Sequence, residues 1–256
     1  MSEPAASSVA ASPAVVVRYQ LGGGIGAACS TRSGGASAAP YDSLNLGLSV
    51  GDEAAVVAAN RRALAIAVGL DADRLAWMRQ AHTAKVRYVT ADSGPPDGPV
   101  DAIVTDEAGL GLCVLAADCV PVLVADPHAR LVGAAHAGRE GLANGVVPAL
   151  VEAMAEVGAT PEMMRVQIGP SICGGCYEVP DELQARVAGV VPQSRCRTRS
   201  GMPGLDIATG IRAQLAAAGV GSVSSDARCT KESAELFSYR RDGTTGRFAG
   251  LIWLAP

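Results

Sequence analysis

The chain has 256 residues, 49% apolar and 18% charged, with net charge −4 and mean hydropathy +0.24. That composition excludes a disordered chain and allows a sizeable core in one domain or two closely packed halves. There is no Lys/Arg run to favour a nucleic-acid polymer, and the longest apolar run, 111–125, is broken by Asp118 and too short to span a membrane.

Residues 1–14 carry Glu3 and no early Lys or Arg. They lack the charged start of a signal peptide and are expected as a disordered lead-in to a single domain over residues 15–256. Residues 15–29 read as two strands joined by the glycine turn 22–24. Gly24-x-Gly26 opens no helix, so a dinucleotide loop is not implied. A turn-rich loop, 31–47, precedes a helix from about Asp52 to Val68, stopped by Gly69. Its periodicity places Val56, Ala59, Ala63 and Ile66 on one face.

Strands are expected at 74–79, 85–90 and 101–105, followed by two buried strands meeting at Ala117-Asp118-Cys119 and a third at 131–138. A helix from about Leu142 to Val157 follows, then a strand at 164–169 and helices at 180–189 and 206–218. Last come strands around 236–240 and 247–254. This irregular alternation predicts an α/β (α+β) fold with mixed β-sheets in a sandwich-like core and flanking helices.

Seven cysteines without a framework spacing or export signal are expected to be reduced thiols in the cytoplasm. Cys173-Gly-Gly-Cys176 has redox spacing, but it lies in a glycine-rich loop with no helix start and no second pair. It reads as a loop feature rather than a redox motif or a zinc site.

The chain has three histidines. His128 follows a turn and reads as solvated, whereas His82 and His136 interrupt apolar strand sequence, as Cys119 does. Two imidazoles and a thiolate are good zinc ligands, and a three-ligand set leaves a position open for water or substrate. Two rivals use the same residues. Cys119 with a histidine could be a nucleophile–base pair, and two His with a Cys could hold a single copper.

Taken together, Thr31-Arg32…Tyr41-x-Ser43-Leu-Asn45-Leu-Gly47, Gln80-x-His82, Asp101-Ala-Ile-Val-Thr105, Ala117-Asp118-Cys119-Val-Pro121, Ala135-His136-Ala-Gly138, Cys176-Tyr-Glu-Val179 and Phe237-Ser-Tyr-Arg-Arg241…Gly246-Arg247 resemble the bacterial YfiH family. Its members also carry the name multicopper polyphenol oxidase, or laccase-domain protein. The resemblance implies zinc on His82, Cys119 and His136. It also implies phosphorolysis of adenosine, inosine and methylthioadenosine, adenosine deamination as a further activity, and a monomer or homodimer. A cysteine hydrolase or amidase, as in peptidoglycan-precursor editing, and a non-catalytic cell-wall or division partner are the alternatives.

The family's usual His-Ala-Gly-Trp-Arg-Gly is here His136-Ala-Gly-Arg139-Glu140-Gly141, which shifts any phosphate role of that arginine towards Arg139. Arg32 is the expected phosphate contact and Asn45 the expected ribose or base contact. Asp118 and Glu140 are the two candidates for moving a proton. Three histidines, two of them already in one site, cannot also build the His-rich cluster of a multicopper oxidase, so zinc is favoured over copper.

Overall fold

The computed structural model describes residues 13–256, so most of the expected lead-in lies outside the described residues. In chain order the first half runs β1 (Val16–Gln20), β2 (Ile25–Ser30), α1 (Ala54–Val68), β3 (Leu75–Trp77), β4 (Val86–Tyr88), β5 (Ala102–Thr105), β6 (Gly111–Ala116), β7 (Val120–Asp126) and β8 (Leu131–Ala137). The second half runs α2 (Arg139–Asn144), α3 (Val146–Glu156), β9 (Arg165–Ile168), α4 (Asp181–Val190), β10 (Arg195–Arg197), β11 (Pro203–Leu205), α5 (Ile207–Ala217), β12 (Ser222–Ser225), α6 (Tyr239–Asp242) and β13 (Phe248–Leu254).

Two mixed sheets pack face to face. One has the order β1-β2-β13-β6-β3, the other β12-β9-β7-β8-β5-β4, and β10 and β11 form a separate ribbon. Leu112, Val114, Leu123, Ala125, Val132 and Ile252 fill the seam between the sheets. Val122 and Val124 point the opposite way, against Val147, Leu150 and Met154 of α3 and Ile211 of α5. Alternation along β7 therefore feeds two cores, which is why a strand buried on both faces reads as an unbroken apolar run. A third seam joins Ala28, Cys113 and Leu251 to Leu64 and Val68 of α1. The result is an α/β single domain with helices outside two sheets, as expected from sequence.

Three local readings need correction. On α1 the buried face carries Val57, Asn60, Leu64, Ala65 and Val68, whereas Ile66 is 79% exposed. Sequence periodicity missed this face because its centre is polar. Asn60 is satisfied there by Ala36 N–H, Ser37 Oγ and the Ser43 and Asn45 carbonyls. The helix expected from Leu142 begins three residues earlier, as α2, and is interrupted at Gly145, whose φ of +78° starts a new axis for α3. The stretch 236–240 is no strand. Leu236 and Phe237 are buried in a small cluster, and Ser238 Oγ caps α6 by accepting from Arg241 N–H at 3.2 Å. The short strands β10, β11 and β12 escaped the sequence reading; β12, Ser-Val-Ser-Ser, is a polar edge strand beside β9.

Candidate active site and metal centre

Three backbone segments converge at one end of the second sheet. In the β7–β8 pairing Val120 faces Ala137 and Pro121 faces His136, which sets Cys119, just before β7, beside the end of β8. His82 comes from the loop between β3 and β4. The potential ligand atoms of His82, Cys119 and His136 all lie within 4.8 Å of one another. The two imidazole rings are 4.8 Å apart, centroid to centroid.

Asp101, the residue before β5, organises this group. Its carboxylate accepts from the backbone N–H groups of Ala81, His82 and Thr83 and from the Thr83 hydroxyl. It also lies 2.9 Å from His136 Nδ1. This pairing directs the other ring nitrogen of His136 toward the site, the arrangement in which a carboxylate orients a metal-binding histidine. Burial alone would raise the Asp101 carboxyl, but the donors from His136, Thr83 and Ala81 outweigh it and hold it well below the usual range. Burial opposes charge on His136, yet Cys119 and Asp101 together push it up to about 9. His82 is shifted down, by burial first and then by its neighbour His136.

Two residues at this site hold strained backbone. His82 has φ +60° and Asp118 φ +105°, conformations that side-chain-bearing residues rarely adopt. Gly138 supplies the remaining space. A Cβ there would sit 2.9 Å from Cys119 Sγ and 2.9 Å from His82 Nδ1. Two imidazoles and one thiol converging over a glycine form a donor set suited to zinc.

The triad opens into a cleft of about 690 Å³. Arg61, Arg79, Arg139, Arg240 and Arg247 line it, against the acids Asp118 and Glu140. Both acids are already committed. Asp118 accepts from the Thr230 and Ser238 hydroxyls at 2.6 Å each and from Arg240 N–H at 2.7 Å. Glu140 is paired with Arg186 and Arg139, which hold it down at about 2, Arg186 contributing most. Asp118 therefore does not orient a triad ligand through its carboxylate; it ties the 230–240 segment to the mouth of the site. The cleft is left electropositive, a setting that attracts a phosphate-sized anion.

Of the residues expected to touch substrate, the structure brings Arg139 to the cleft, where it donates to the Tyr177 hydroxyl at 2.9 Å. It does not bring Arg32 or Asn45 there. Arg32 donates to the Asp42 carbonyl, pairs with the Asp42 carboxylate and lies over the Phe237 ring at 4.8 Å. Asn45 is fully buried. Its Oδ1 accepts from Gly47 and Arg247 N–H, so it shapes the cleft rim without facing it. Gly and Ser neighbours made both look like ligand-loop residues; their partners are in the loop itself and in the 237–247 stretch packed against it. His128 is exposed at the β7–β8 turn, away from the triad.

Sequence reading assigned no role to Asp101, Tyr177 or Arg247. A lone acid heading a buried strand is a signal for Asp101, while the other two needed the fold to bring 177 and 247 beside 82. Cys173 and Cys176 also acquire partners from afar. Cys229 and Glu232 join them in a second group whose potential ligand atoms lie within 4.8 Å of one another. The C-x-x-C does not stand alone in its loop: further donors come from more than 50 residues away in the chain.

A sequence profile described as multi-copper polyphenol oxidoreductase laccase matches residues 26–255. The chain belongs to this family, the YfiH family. It is 53% identical over 224 residues to a Streptomyces coelicolor protein named purine nucleoside phosphorylase, covering 87% of this chain and 93% of that one. A Mycobacterium tuberculosis protein of the same name is 45% identical over 224 residues, covering 88% and 90%. Among solved structures, YlmD from Geobacillus stearothermophilus superposes with a TM-score of 0.84 at 36% identity, over 91% of this chain and 93% of that one. YfiH of Bacillus licheniformis gives 0.83 at 32% identity, covering 90% and 92%. Among the described residues of this YfiH-family chain, no helix is long and apolar enough to cross a membrane.

Proposed function

We propose that this protein is a zinc-dependent purine nucleoside phosphorylase acting on adenosine, inosine and methylthioadenosine. The observation that carries the reading is the His82–Cys119–His136 triad at the base of a 690 Å³ cleft lined by five arginines. The named relatives support the reaction class. Zinc held by the triad would supply a Lewis acid at an open coordination position.

The chain's own groups have separable tasks in this reading. Phosphorolysis brings a phosphate dianion to the sugar carbon while the bond to the purine nitrogen breaks. Arg139 and Arg247 are the arginines we assign to phosphate: Arg61 spends Nε and Nη2 on the Leu46 carbonyl and stacks on Trp77 at 3.9 Å, whereas Arg247 donates to the Thr245 and Gly246 carbonyls through Nη1 alone. Burial lowers the Arg247 pKa, and a bound anion would stabilise its charge. Tyr239, 62% exposed at the mouth, offers a ring face for a purine. Adenosine deamination needs a carboxylate to carry a proton. Asp118 and Glu140 are both committed to other donors, so phosphorolysis is the reading the geometry favours.

One observation favours a second reading. The Asp101–His136 hydrogen bond continues towards the Cys119 thiol, a Cys-His-Asp order that also serves hydrolases and amidases. Metal content and inosine turnover with and without phosphate separate the two. The phosphorylase reading expects triad-bound zinc, strict phosphate dependence, and loss of that zinc and of turnover in Cys119→Ala. A substrate-derived covalent adduct on Cys119 would establish the hydrolase instead. The seven free thiols support a reducing, cytoplasmic setting.

A further inference from the structure

We propose that Cys173, Cys176, Cys229 and Glu232 form a second zinc site, structural rather than catalytic, separate from the triad. Three sulfurs and one carboxylate, all within 4.8 Å of one another, make a closed four-donor set, and thiolate-rich four-donor sets select zinc among common divalent ions. The local backbone is built for it. Cys176 and Tyr177 N–H both donate to the Cys173 carbonyl, at 2.9 and 3.0 Å, curling the C-x-x-C into a tight turn. Cys173 N–H donates to Cys229 Sγ at 3.4 Å, which holds that sulfur against the turn.

Packing is tight at both intervening glycines, most of all at Gly174. A Cβ on Gly174 would lie 2.9 Å from Cys196 Sγ and from Asp206 Cβ, and one on Gly175 would lie 3.3 Å from the Arg199 side chain. Arg199 lies at the rim of the group. Its guanidinium donates to both carboxylate oxygens of Glu232 and approaches Cys176 Sγ at 3.1 Å. Three thiolates and a carboxylate around one dication leave surplus negative charge, and a guanidinium at the rim offsets part of it. Binding is a proton-for-metal exchange. Three S–H bonds release protons to solvent, three Zn–S bonds and one Zn–O bond form, and no group changes oxidation state.

The site would fasten two segments that frame the cleft. Thr230 N–H donates to the Ser171 carbonyl at 3.1 Å, and the Thr230 hydroxyl donates to Asp118, the neighbour of Cys119. Tyr177, the partner of Arg139, directly follows Cys176. Its role is thus to position cleft residues, and the site stands whether or not the phosphorylase reading does.

The test is zinc stoichiometry by elemental mass spectrometry on the full-length chain purified in the presence of zinc and a thiol reductant. The expected ratio is about two per chain for the wild type and about one for Cys119→Ala, with about one also for Cys173→Ser. Cobalt exchanged into Cys119→Ala should give thiolate-to-metal charge-transfer absorption, and chelation should then lower its melting temperature. If Cys173→Ser fails to fold, the wild-type and Cys119→Ala ratios decide by themselves. A ratio of one in the wild type and none in Cys119→Ala overturns the proposal, as does a Cys173–Cys176 disulfide under those reducing conditions.

Discussion

His136 Nδ1 and Asp101 Oδ1 are 2.9 Å apart, and the same carboxylate collects the backbone N–H groups of residues 81–83. One buried acid therefore fixes both the ring of one histidine and the loop that carries the other. Asp101→Asn keeps the volume but turns an acceptor into a donor facing backbone N–H groups. Metal affinity at the triad should fall by ~10–100-fold, the range for loss of a carboxylate behind a ligating histidine. Competition titration with a chromogenic chelator checks this; unchanged affinity would remove Asp101 from the account.

Gly138→Ala separates folding from site geometry. The backbone there, φ −88° and ψ −172°, accepts alanine, yet the new Cβ intrudes between Cys119 Sγ and His82 Nδ1. The far-ultraviolet circular dichroism should remain native while triad-bound zinc and turnover are lost. Retention of both would show that the ligands yield at that point.

Arg139→Ala should raise KM for phosphate by ~10–100-fold, the equivalent of one charge-assisted hydrogen bond, with a smaller change in kcat. Arg32→Ala is the matched comparison, because its guanidinium is spent on Asp42 and Phe237 outside the cleft, and it should leave that KM unaltered. The reverse ranking would return the phosphate role to Arg32.

Acid stability should depend on Asp126. Burial alone would raise this carboxyl, but N–H donors of Thr160, Ala129 and His128 prevail and hold it below the ordinary carboxylate value. A carboxyl depressed by folding stabilises the native state above its unfolded value of ~3.9, and that contribution is lost as pH falls through the folded value. Asp126→Asn should cost ~1–3 kcal/mol at neutral pH, since an amide N–H then faces a backbone N–H. It should also flatten the stability curve below about pH 4. Urea unfolding across that range measures both, and parallel curves for the two proteins would contradict it.

Much of the fold was readable because β7 and β8, buried on both faces, spell themselves as apolar runs, and because the triad residues interrupt such runs. What stayed hidden has a common cause. Asn60 lies on the buried face of α1 because the 36–45 loop saturates it, and that loop is invisible to helical periodicity. Arg32 and Asn45 carry the residue types of a ligand loop, but only three-dimensional neighbours reveal that their hydrogen bonds are consumed at home. Cys229 and Glu232 could not be matched to the C-x-x-C by spacing, since the crossover to β12 and the loop after it intervene.

Asp118 stands at φ +105°, where glycine would rest without strain, and its two oxygens gather three donors from the 230–240 segment. The strain at this residue is offset by what its carboxylate holds together. Asp118→Gly would therefore relax the backbone but strand the buried Thr230 and Ser238 hydroxyls, so the mouth of the cleft should loosen without any gain in resistance to heat.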